Sequence, residues 1–221
     1  MPNEVKIFRN ESEVPAASGY QTYKVPAGKA SYRFEDAEGN ILMEHELEVT
    51  SDSKPITVFD SGNGFLLVNP IDEVEVNPAK LKLDIANVSN ITDKNNVTLA
   101  VYRLNFNLEA VTEPTIIRNV TSNFTDEFKE VDFGDLTNFE NGEQAAIYVL
   151  DENMEPYRRE GLPVAFVFSP TIEYPEGAAE LNKVYKIILK EEEETDFPLE
   201  GPFGAYPEGF YMCAATVLLS K

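Results

Sequence analysis

The chain has few of the residues that build catalytic and metal sites, since its 221 residues include one cysteine, one histidine and no tryptophan. A single cysteine, Cys213, excludes an intrachain disulfide and a cysteine-rich zinc site. A single histidine, His45, excludes every site that needs two histidines, and a cysteine nucleophile would need His45 beside it. The sequence also has no glycine-rich phosphate loop. We therefore predict that the protein is not an enzyme and has no catalytic residue, metal ligand or bound cofactor.

Basic residues are also scarce, because 18 Lys and Arg stand against 39 Asp and Glu, a net charge of −21. Such a surface repels phosphate groups, which excludes a nucleic-acid partner and an anionic membrane surface. No apolar run approaches the roughly 18 residues of a membrane span. The first residues lack the pattern of a signal peptide, so we expect any leader or lipid anchor to precede Met1. The acidity is spread along the chain: 6 basic and 13 acidic residues up to residue 73, and 12 and 26 after it.

The dominant pattern is an alternation of apolar and polar residues with a period of two, which is typical of half-buried strands. In Ile41–Val49, one face carries Ile41, Met43 and Leu47, while glutamates line the other. His45 shares the apolar face, so we expect it to be a partly buried structural residue.

Many short strands separated by Gly, Asn and Pro turns predict an all-β fold. Phe210–Leu219 is apolar on both faces and predicts a central strand, with Cys213 as an inert core thiol. No amphipathic helix is found, although Thr125–Val131 and Glu176–Leu181 are each compatible with one or two helical turns. The other predicted strands are Val5–Arg9, Tyr20–Val25, Ala30–Glu35, Pro55–Phe59, Phe65–Asn69, Leu81–Val88, Val97–Leu104, Gln144–Leu150, Pro163–Phe168 and Val184–Lys190.

The predicted architecture is two consecutive immunoglobulin-like antiparallel β-sandwich domains. We interpret Asn69–Ala79 as a linker because it contains two prolines and three acidic residues. We place an N-terminal domain at residues 1–73 and a larger C-terminal domain with insertions at residues 74–221.

The two halves echo one another in sequence. Val5–Arg9 resembles Leu99–Arg103, and Phe34–Glu38 resembles Val149–Asn153 at the entry to a predicted hairpin. The strand Leu81–Val88 has no counterpart in the first half. Either the first domain lacks its first strand because the chain begins after it, or a strand from elsewhere fills the gap.

A family resemblance rests on five segments in order: Val25–Gly28, Tyr32–Phe34, Pro55–Phe59, Phe65–Val68 and Leu81–Ser89. They resemble the tandem bacterial domains of domain-of-unknown-function family 4397, over about residues 5–105 with a looser echo to 190. The second half departs from the family by insertions around 107–140 and 170–182. The resemblance implies immunoglobulin-like sandwiches outside the cytoplasm, at the cell surface or in the periplasm, as in exported proteins and lipoproteins of Bacteroidetes. The family has no established catalytic residues, so the resemblance implies no activity.

Clustered acidic residues in turns are the remaining candidates for chemistry. Calcium needs several oxygens converging on one point, and none of the clusters has the spacing of an EF-hand. We expect solvated loops, with calcium as the one cofactor left open, and no spacing singles out a carboxylate pair for glycoside hydrolysis. The clusters are Asp36, Glu38 and Asn40; Asp60 and Asn63; Asp151, Glu152, Asn153 and Glu155; and the run Glu191–Asp196.

An aromatic stretch near the C-terminus is the candidate ligand-contact loop. It contains Phe203, Tyr206, Phe210 and Tyr211, threaded with prolines. Two interpretations stay open: the rings are exposed and contact a ligand, or they pack over the end of the sandwich.

Six Asn-x-Ser/Thr sequons, more than composition alone predicts, also have two interpretations. In a eukaryotic secreted protein they would indicate a glycosylated surface. In a bacterial β protein they reflect Asn and Thr at strand ends, which agrees better with the family resemblance. The sequons begin at Asn10, Asn87, Asn90, Asn96, Asn119 and Asn123.

These observations favour a non-enzymatic module of a bacterial cell envelope that binds a glycan or a protein, or serves as a spacer. One alternative is a fimbrial or adhesin assembly subunit, because an incomplete sandwich can accept a donated strand. The other is a carboxylate- and calcium-dependent hydrolase. That alternative requires carboxylates that converge in one pocket with a raised pKa.

Overall fold

The structure is a computed structural model, and it describes residues 5–18, 22–61, 64–72, 74–75, 77, 80–91, 96–105, 107, 109–134, 143–159, 161–173, 179–181, 184–190, 199–201, 204–206 and 211–220. The chain divides into two compact units, Met1–Pro70 and Ile71–Lys221. The described residues form strands, turns and loops without a helix, which confirms the all-β prediction. Within that part of the chain, no helix has the length and hydropathy that a membrane crossing requires.

The first unit is built on a small antiparallel sheet with the strand order β2-β1-β5-β6. Two further antiparallel pairs, β3 with β4 and β7 with β8, complete its described strands. The strands are β1 (Lys6–Arg9), β2 (Ser12–Val14), β3 (Ala16–Ser18), β4 (Thr22–Tyr23), β5 (Gly28–Glu35), β6 (Ile41–Val49), β7 (Thr57–Asp60) and β8 (Phe65–Val68).

One face of this sheet carries the core of the first unit, as the period-two pattern predicts. On β5 the buried residues are Ala30, Tyr32 and Phe34, at 4%, 3% and 3% exposure. The register between β5 and β6 shifts between Phe34 and Glu35, and Ile41 beyond the shift is 58% exposed instead of facing the core. A bulge changes which face a strand residue points to, so the predicted alternation fails there.

His45 faces the buried Tyr32 across the sheet, on the face that the sequence predicts. Its side chain is nevertheless exposed, so the prediction of a partly buried residue is wrong. The physical reason is its position on β6, the outer strand of the sheet among the described residues. An outer strand has a neighbour on one side and leaves its side chains open on the other.

The second unit joins nine of the described strands into one ladder, in the order β11-β10-β13-β15-β21-β18-β9-β12 with β14 beside β15. Two further pairs lie apart from it, β16 with β17 and β19 with β20. The strands are β9 (Lys80–Asn87), β10 (Val97–Leu104), β11 (Thr115–Val120), β12 (Lys129–Asp132), β13 (Gln144–Leu150), β14 (Arg158–Arg159), β15 (Leu162–Phe168), β16 (Thr171–Glu173), β17 (Ala179–Leu181), β18 (Val184–Leu189), β19 (Leu199–Gly201), β20 (Gly204–Tyr206) and β21 (Tyr211–Ser220).

The ladder has two layers, one formed by β11, β10, β13 and β15 and the other by β18, β9 and β12. Strand β21 links the two layers because it changes partner along its length. Its first half pairs in parallel with β15, and its second half pairs antiparallel with β18. Strand β18 in turn pairs in parallel with β9. The central position predicted for this segment is therefore confirmed, and the layers are mainly but not wholly antiparallel.

The core of the second unit draws on both layers. Alternate residues of β9, β10, β13, β15 and β18 form one buried cluster, which includes Leu83, Val101, Ile147 and Phe166. The opposite face of β10 and β13 is buried as well, in a second cluster around the stacked rings of Tyr102 and Tyr148, whose centroids lie 5.8 Å apart. Strands covered on both faces read as continuous apolar runs, as these do.

The region taken as an insertion in the second half contains two strands that periodicity does not predict. Thr125–Val131 has no helical turn, since residues 125–128 are irregular and β12 follows them. Residues 179–181 of the second proposed helical segment form β17. Only Val131 in β12 faces the core, where it pairs with Leu81 of β9. So short a strand is specified by its partner and not by its own pattern.

The segments that echo one another in sequence occupy matching positions in the strand orders of the two units. The order β2-β1-β5-β6 in the first unit matches β11-β10-β13-β15 in the second. The matched turns are also alike: in each, an aspartate carboxylate, Asp36 or Asp151, accepts two main-chain hydrogen bonds from residues two and four positions ahead.

Candidate functional site

The predicted aromatic loop is only partly within the described residues. Phe203 and Phe210 lie outside them, whereas Tyr206 ends β20 and Tyr211 begins β21. Strand β20 pairs with β19, and β21 pairs with β15 and β18, so the two tyrosines belong to different sheets. Ligand contact by these rings stays a prediction.

The acidic turns use their carboxylates to hold the chain in place. Asp36 Oδ1 accepts hydrogen bonds from the amides of Glu38 at 2.9 Å and Asn40 at 2.8 Å, and Asn40 Nδ2 donates to Oδ2 at 2.8 Å. The hydrogen bonds from Asn40 lower the pKa of Asp36, because they stabilise its charged form. Asp151 accepts in the same way from the amides of Asn153 at 2.8 Å and Glu155 at 3.0 Å.

The carboxylates of Asp36 and Asp151 are therefore engaged by main-chain amides at these two turns. Within the described ranges, no three His, Cys, Asp or Glu side chains come together as a metal site. Asn63 and the run Glu191–Asp196 lie outside those ranges. His45 and Cys213 lie in different units, in β6 and β21.

A buried ionic cluster in the second unit is the feature that sequence analysis did not anticipate. Lys186 of β18 and Asp84 of β9 stand directly opposite one another on neighbouring parallel strands. Lys186 Nζ lies 3.8 Å from Asp84 Oδ2 and donates a hydrogen bond to Asp126 Oδ1. The side chains of Lys186 and Asp84 are 0% and 2% exposed, whereas that of Asp126 is 48% exposed. These three residues are called the Lys186 cluster below.

The cluster is covered by the segment that joins β11 to β12. Two phenylalanine rings of this segment, Phe124 and Phe128, have their centroids 5.4 and 5.9 Å from Lys186 Nζ. Asp84 anchors the same segment: its Oδ2 accepts from the amide of Asp126 at 3.0 Å, and its Oδ1 from the amide of Thr125 at 3.3 Å. Burial raises the pKa of Asp84, because removal from water disfavours the carboxylate more than these hydrogen bonds favour it.

A cavity of about 280 Å³ opens beside this segment, between β9 and β11. We call it the seam cavity, because β11 and β12 are the two end strands of the ladder. Its apolar lining consists of core residues, Leu83, Ile85, Ile117 and Val120. Its polar lining consists of Asp84, Arg118, Asn119, Thr121, Thr125, Glu127 and Lys129.

The lining of the seam cavity includes hydrogen-bond donors and acceptors beside its apolar side chains. Arg118 and Lys129 supply cationic donors, Glu127 supplies an anionic acceptor that Lys129 already contacts at 3.0 Å, and the threonine hydroxyls can do either. Among the described residues, the lining includes no aromatic ring. Recognition there would rest on hydrogen bonds and shape and not on ring stacking.

Sequence reasoning missed the cluster because the segment that covers it is distant in the chain. Sequence analysis predicted Leu81–Val88 and Val184–Lys190 as strands and assigned no role to the charged residues inside them. The available signal was a charged residue inside the run Val184–Leu189, since a lysine in a fully buried strand needs a partner.

Comparisons with known proteins assign no family. No family model and no curated protein matches the chain. A solved structure described as alpha-glucan recognition by family 41 carbohydrate-binding modules from streptococcal virulence factors is similar at a TM-score of 0.26 and 10% identity, covering 94% of this chain and 88% of the other. At that TM-score the similarity carries no argument about function.

Proposed function

We propose that the protein is a non-enzymatic binding module of a bacterial cell envelope, located outside the cytoplasm, and that the seam cavity binds a small hydroxyl-rich ligand such as a glycan. The observation that supports this is the lining of the cavity, which combines apolar side chains with donors and acceptors of both charge signs. Ligand sites commonly combine an apolar wall with a few polar groups that fix orientation. The net charge of −21 disfavours a polyanionic ligand.

The size of the cavity also limits the ligand. At about 280 Å³ it lies near the lower end of typical ligand pockets. It therefore suits one or two sugar rings, with the rest of a longer chain outside. Because the lining lacks an aromatic ring, we expect weak binding that depends on the hydrogen bonds of individual side chains.

The contacts of the Asp84 carboxyl group bear on the choice between ligand binding and hydrolysis. A carboxyl group with a raised pKa in a cavity is the feature that the hydrolase alternative requires. Yet both carboxyl oxygens of Asp84 are occupied within the protein, Oδ1 by the amide of Thr125 and Oδ2 by Asp126 and Lys186. A general acid must reach the substrate directly or through a water molecule, so this arrangement disfavours Asp84 as an acid toward a ligand in the cavity.

The test is a glycan array followed by calorimetric titration with the best ligand. We expect Arg118→Ala and Glu127→Ala each to raise Kd about tenfold, the effect of losing roughly 1.4 kcal/mol of hydrogen bonding to a charged group. The matched control is Arg158→Ala, an exposed arginine outside the cavity lining, which should leave Kd unchanged. An array without any ligand, or lining variants that bind like the unmodified protein, would refute the proposal.

A second candidate, the assembly subunit, is supported by β6. This nine-residue strand pairs with β5, and no described strand pairs with its other edge. A free edge of this length can accept a strand from another chain. Analytical ultracentrifugation over a range of concentrations tests it: assembly at micromolar concentration supports the candidate, and a strictly monomeric protein counts against it.

A further inference from the structure

We propose that Lys186 and Asp126 condense to form an intramolecular amide bond, with Asp84 carrying protons between them. This inference concerns a covalent modification and does not depend on ligand binding in the seam cavity. It rests on the geometry of the Lys186 cluster, in which a fully buried amine contacts one carboxyl group and lies 3.8 Å from another.

The first argument is proximity. Lys186 Nζ already donates to Asp126 Oδ1, and the amide nitrogen of Asp126 is held at 3.0 Å by Asp84 Oδ2. Lys186 is therefore held in place by its β-strand, and Asp126 is held in place by the segment that Asp84 anchors. Well-oriented reacting groups reach effective molarities of about 10⁵–10⁸ M, and such proximity lowers the barrier to amide formation.

The second argument is burial. The side chains of Lys186 and Asp84 are 0% and 2% exposed, so as ions they lose their hydration. Their mutual attraction offsets this desolvation cost only in part. The rings of Phe124 and Phe128 limit the access of water to Lys186 from the outer face of the sheet. Conversion of the ammonium and a carboxylate into a neutral amide removes two charges from this site.

The reaction balances without a co-reactant. The Lys186 ammonium gives one proton to Asp84, and the lone pair of Nζ attacks Cγ of Asp126 to form a C–N bond. Asp84 then delivers its proton to one oxygen of Asp126 and takes a second proton from Nζ for the same oxygen. The C–O bond breaks, the oxygen leaves as water, and the products are a neutral amide and an Asp84 in its original state. No atom is oxidised or reduced, and the 48% exposure of Asp126 gives the water a route out.

Both the position of Asp84 and its raised pKa suit it to carry protons between Lys186 and Asp126. It faces Lys186 across neighbouring strands and touches the main chain of Asp126, so it reaches both reacting groups. Its pKa is raised by burial, and a carboxyl group with a raised pKa accepts and returns protons more readily near neutral pH.

The bond would tie the covering segment to the middle of a sheet. Asp126 and Lys186 are 60 residues apart, so the link closes a long loop between the segment before β12 and strand β18. Strand β12 is an end strand of the ladder, where separation of the layers would begin. The link therefore secures one side of the seam against unfolding.

The test is the intact mass of the denatured wild-type protein, followed by proteolysis and tandem mass spectrometry. We expect a mass lower than the sequence mass by one water molecule, and a branched peptide that joins the segment with Asp126 to the segment with Lys186. Lys186→Arg should restore the sequence mass. The matched control Lys129→Arg, at an exposed lysine of β12, should keep the loss of water. A wild-type protein at its sequence mass, with Lys186 in a linear peptide, would overturn the proposal whatever the variants do.

The role of Asp84 is tested by the pair Asp84→Asn and Asp84→Glu, each checked for folding by circular dichroism. Asp84→Asn should abolish the loss of water, and Asp84→Glu should retain it at least in part because it keeps a carboxyl group. Full loss of water in folded Asp84→Asn would refute the proton-carrying role. If neither variant folds, the loss of water is followed by mass spectrometry in wild-type protein sampled during cell-free synthesis at several pH values. A rate of bond formation that does not depend on pH would refute the proton-carrying role.

Discussion

A buried ion pair at the start of β13 offers the sharpest test of how the second unit is held together. Arg103 NH2 lies 2.5 Å from Glu143 Oε2, and the two side chains are 9% and 8% exposed. Arg103 NH1 also donates to the carbonyl oxygen of Phe133 at 3.2 Å. The perturbation is Glu143→Ala, which leaves a guanidinium ion buried without this carboxylate.

The expected cost follows from the burial of the pair. Breaking a buried pair from one side costs about 3–5 kcal/mol of unfolding free energy, because the remaining buried charge loses this carboxylate. The carbonyl of Phe133 stays in place, so we expect the lower end, about 3 kcal/mol. Replacing both residues, Arg103→Met with Glu143→Leu, removes both charges and should stay within about 1 kcal/mol of the wild type.

The assay is urea unfolding followed by circular dichroism, with the free energy taken from the transition of the second unit. The control is Lys129→Met in the same unit, which removes a pair of 3.0 Å whose side chains are 49% and 74% exposed. An exposed pair contributes little, so this variant should change the free energy by less than about 1 kcal/mol. The reasoning is refuted if Glu143→Ala costs no more than Lys129→Met, or if the double variant is as unstable as the single one.

Two further predictions concern the aspartates. Asp151→Ala removes the acceptor of two turn amides and should lower the unfolding free energy by about 1–2 kcal/mol in urea titrations, whereas Asp151→Asn should recover most of it. The other concerns pH and uses matched Asn variants. The folded-state pKa of Asp84 is raised, so wild-type stability falls as pH rises above the ordinary carboxyl pKa, and Asp84→Asn removes that fall. The folded-state pKa of Asp36 is lowered, so wild-type stability rises with pH just below the ordinary carboxyl pKa, and Asp36→Asn removes that rise. Slopes that both variants leave unchanged would contradict these assignments.

Much of the fold could be predicted from the sequence because strand periodicity is local information. The buried face of β5 and the central place of β21 both follow from which residues alternate and which do not. The matched turns at Asp36 and Asp151 follow from a short local motif that repeats in sequence. Each of these features is determined within about ten residues of chain.

The failures share a different physical origin. Ile41 is exposed because a register shift lies between it and Met43, and such a shift depends on the partner strand. The partner of Asp84 in the covering segment is about 41 residues further along the chain, and Asp126 is 60 residues from Lys186. Charges that alternate along a strand predict solvent on that face only when no distant segment covers it. The candidate site was therefore beyond the reach of sequence patterns.

Ligand binding in the seam cavity is the central claim, and nuclear magnetic resonance titration of the labelled protein with the best array ligand tests it most directly. The account predicts that amide shifts move at the lining residues Ile117–Thr121 and at Thr125, Glu127 and Lys129, with saturable dependence on ligand concentration. Shifts that move instead around Tyr206 and Tyr211, with the cavity residues unchanged, would contradict it.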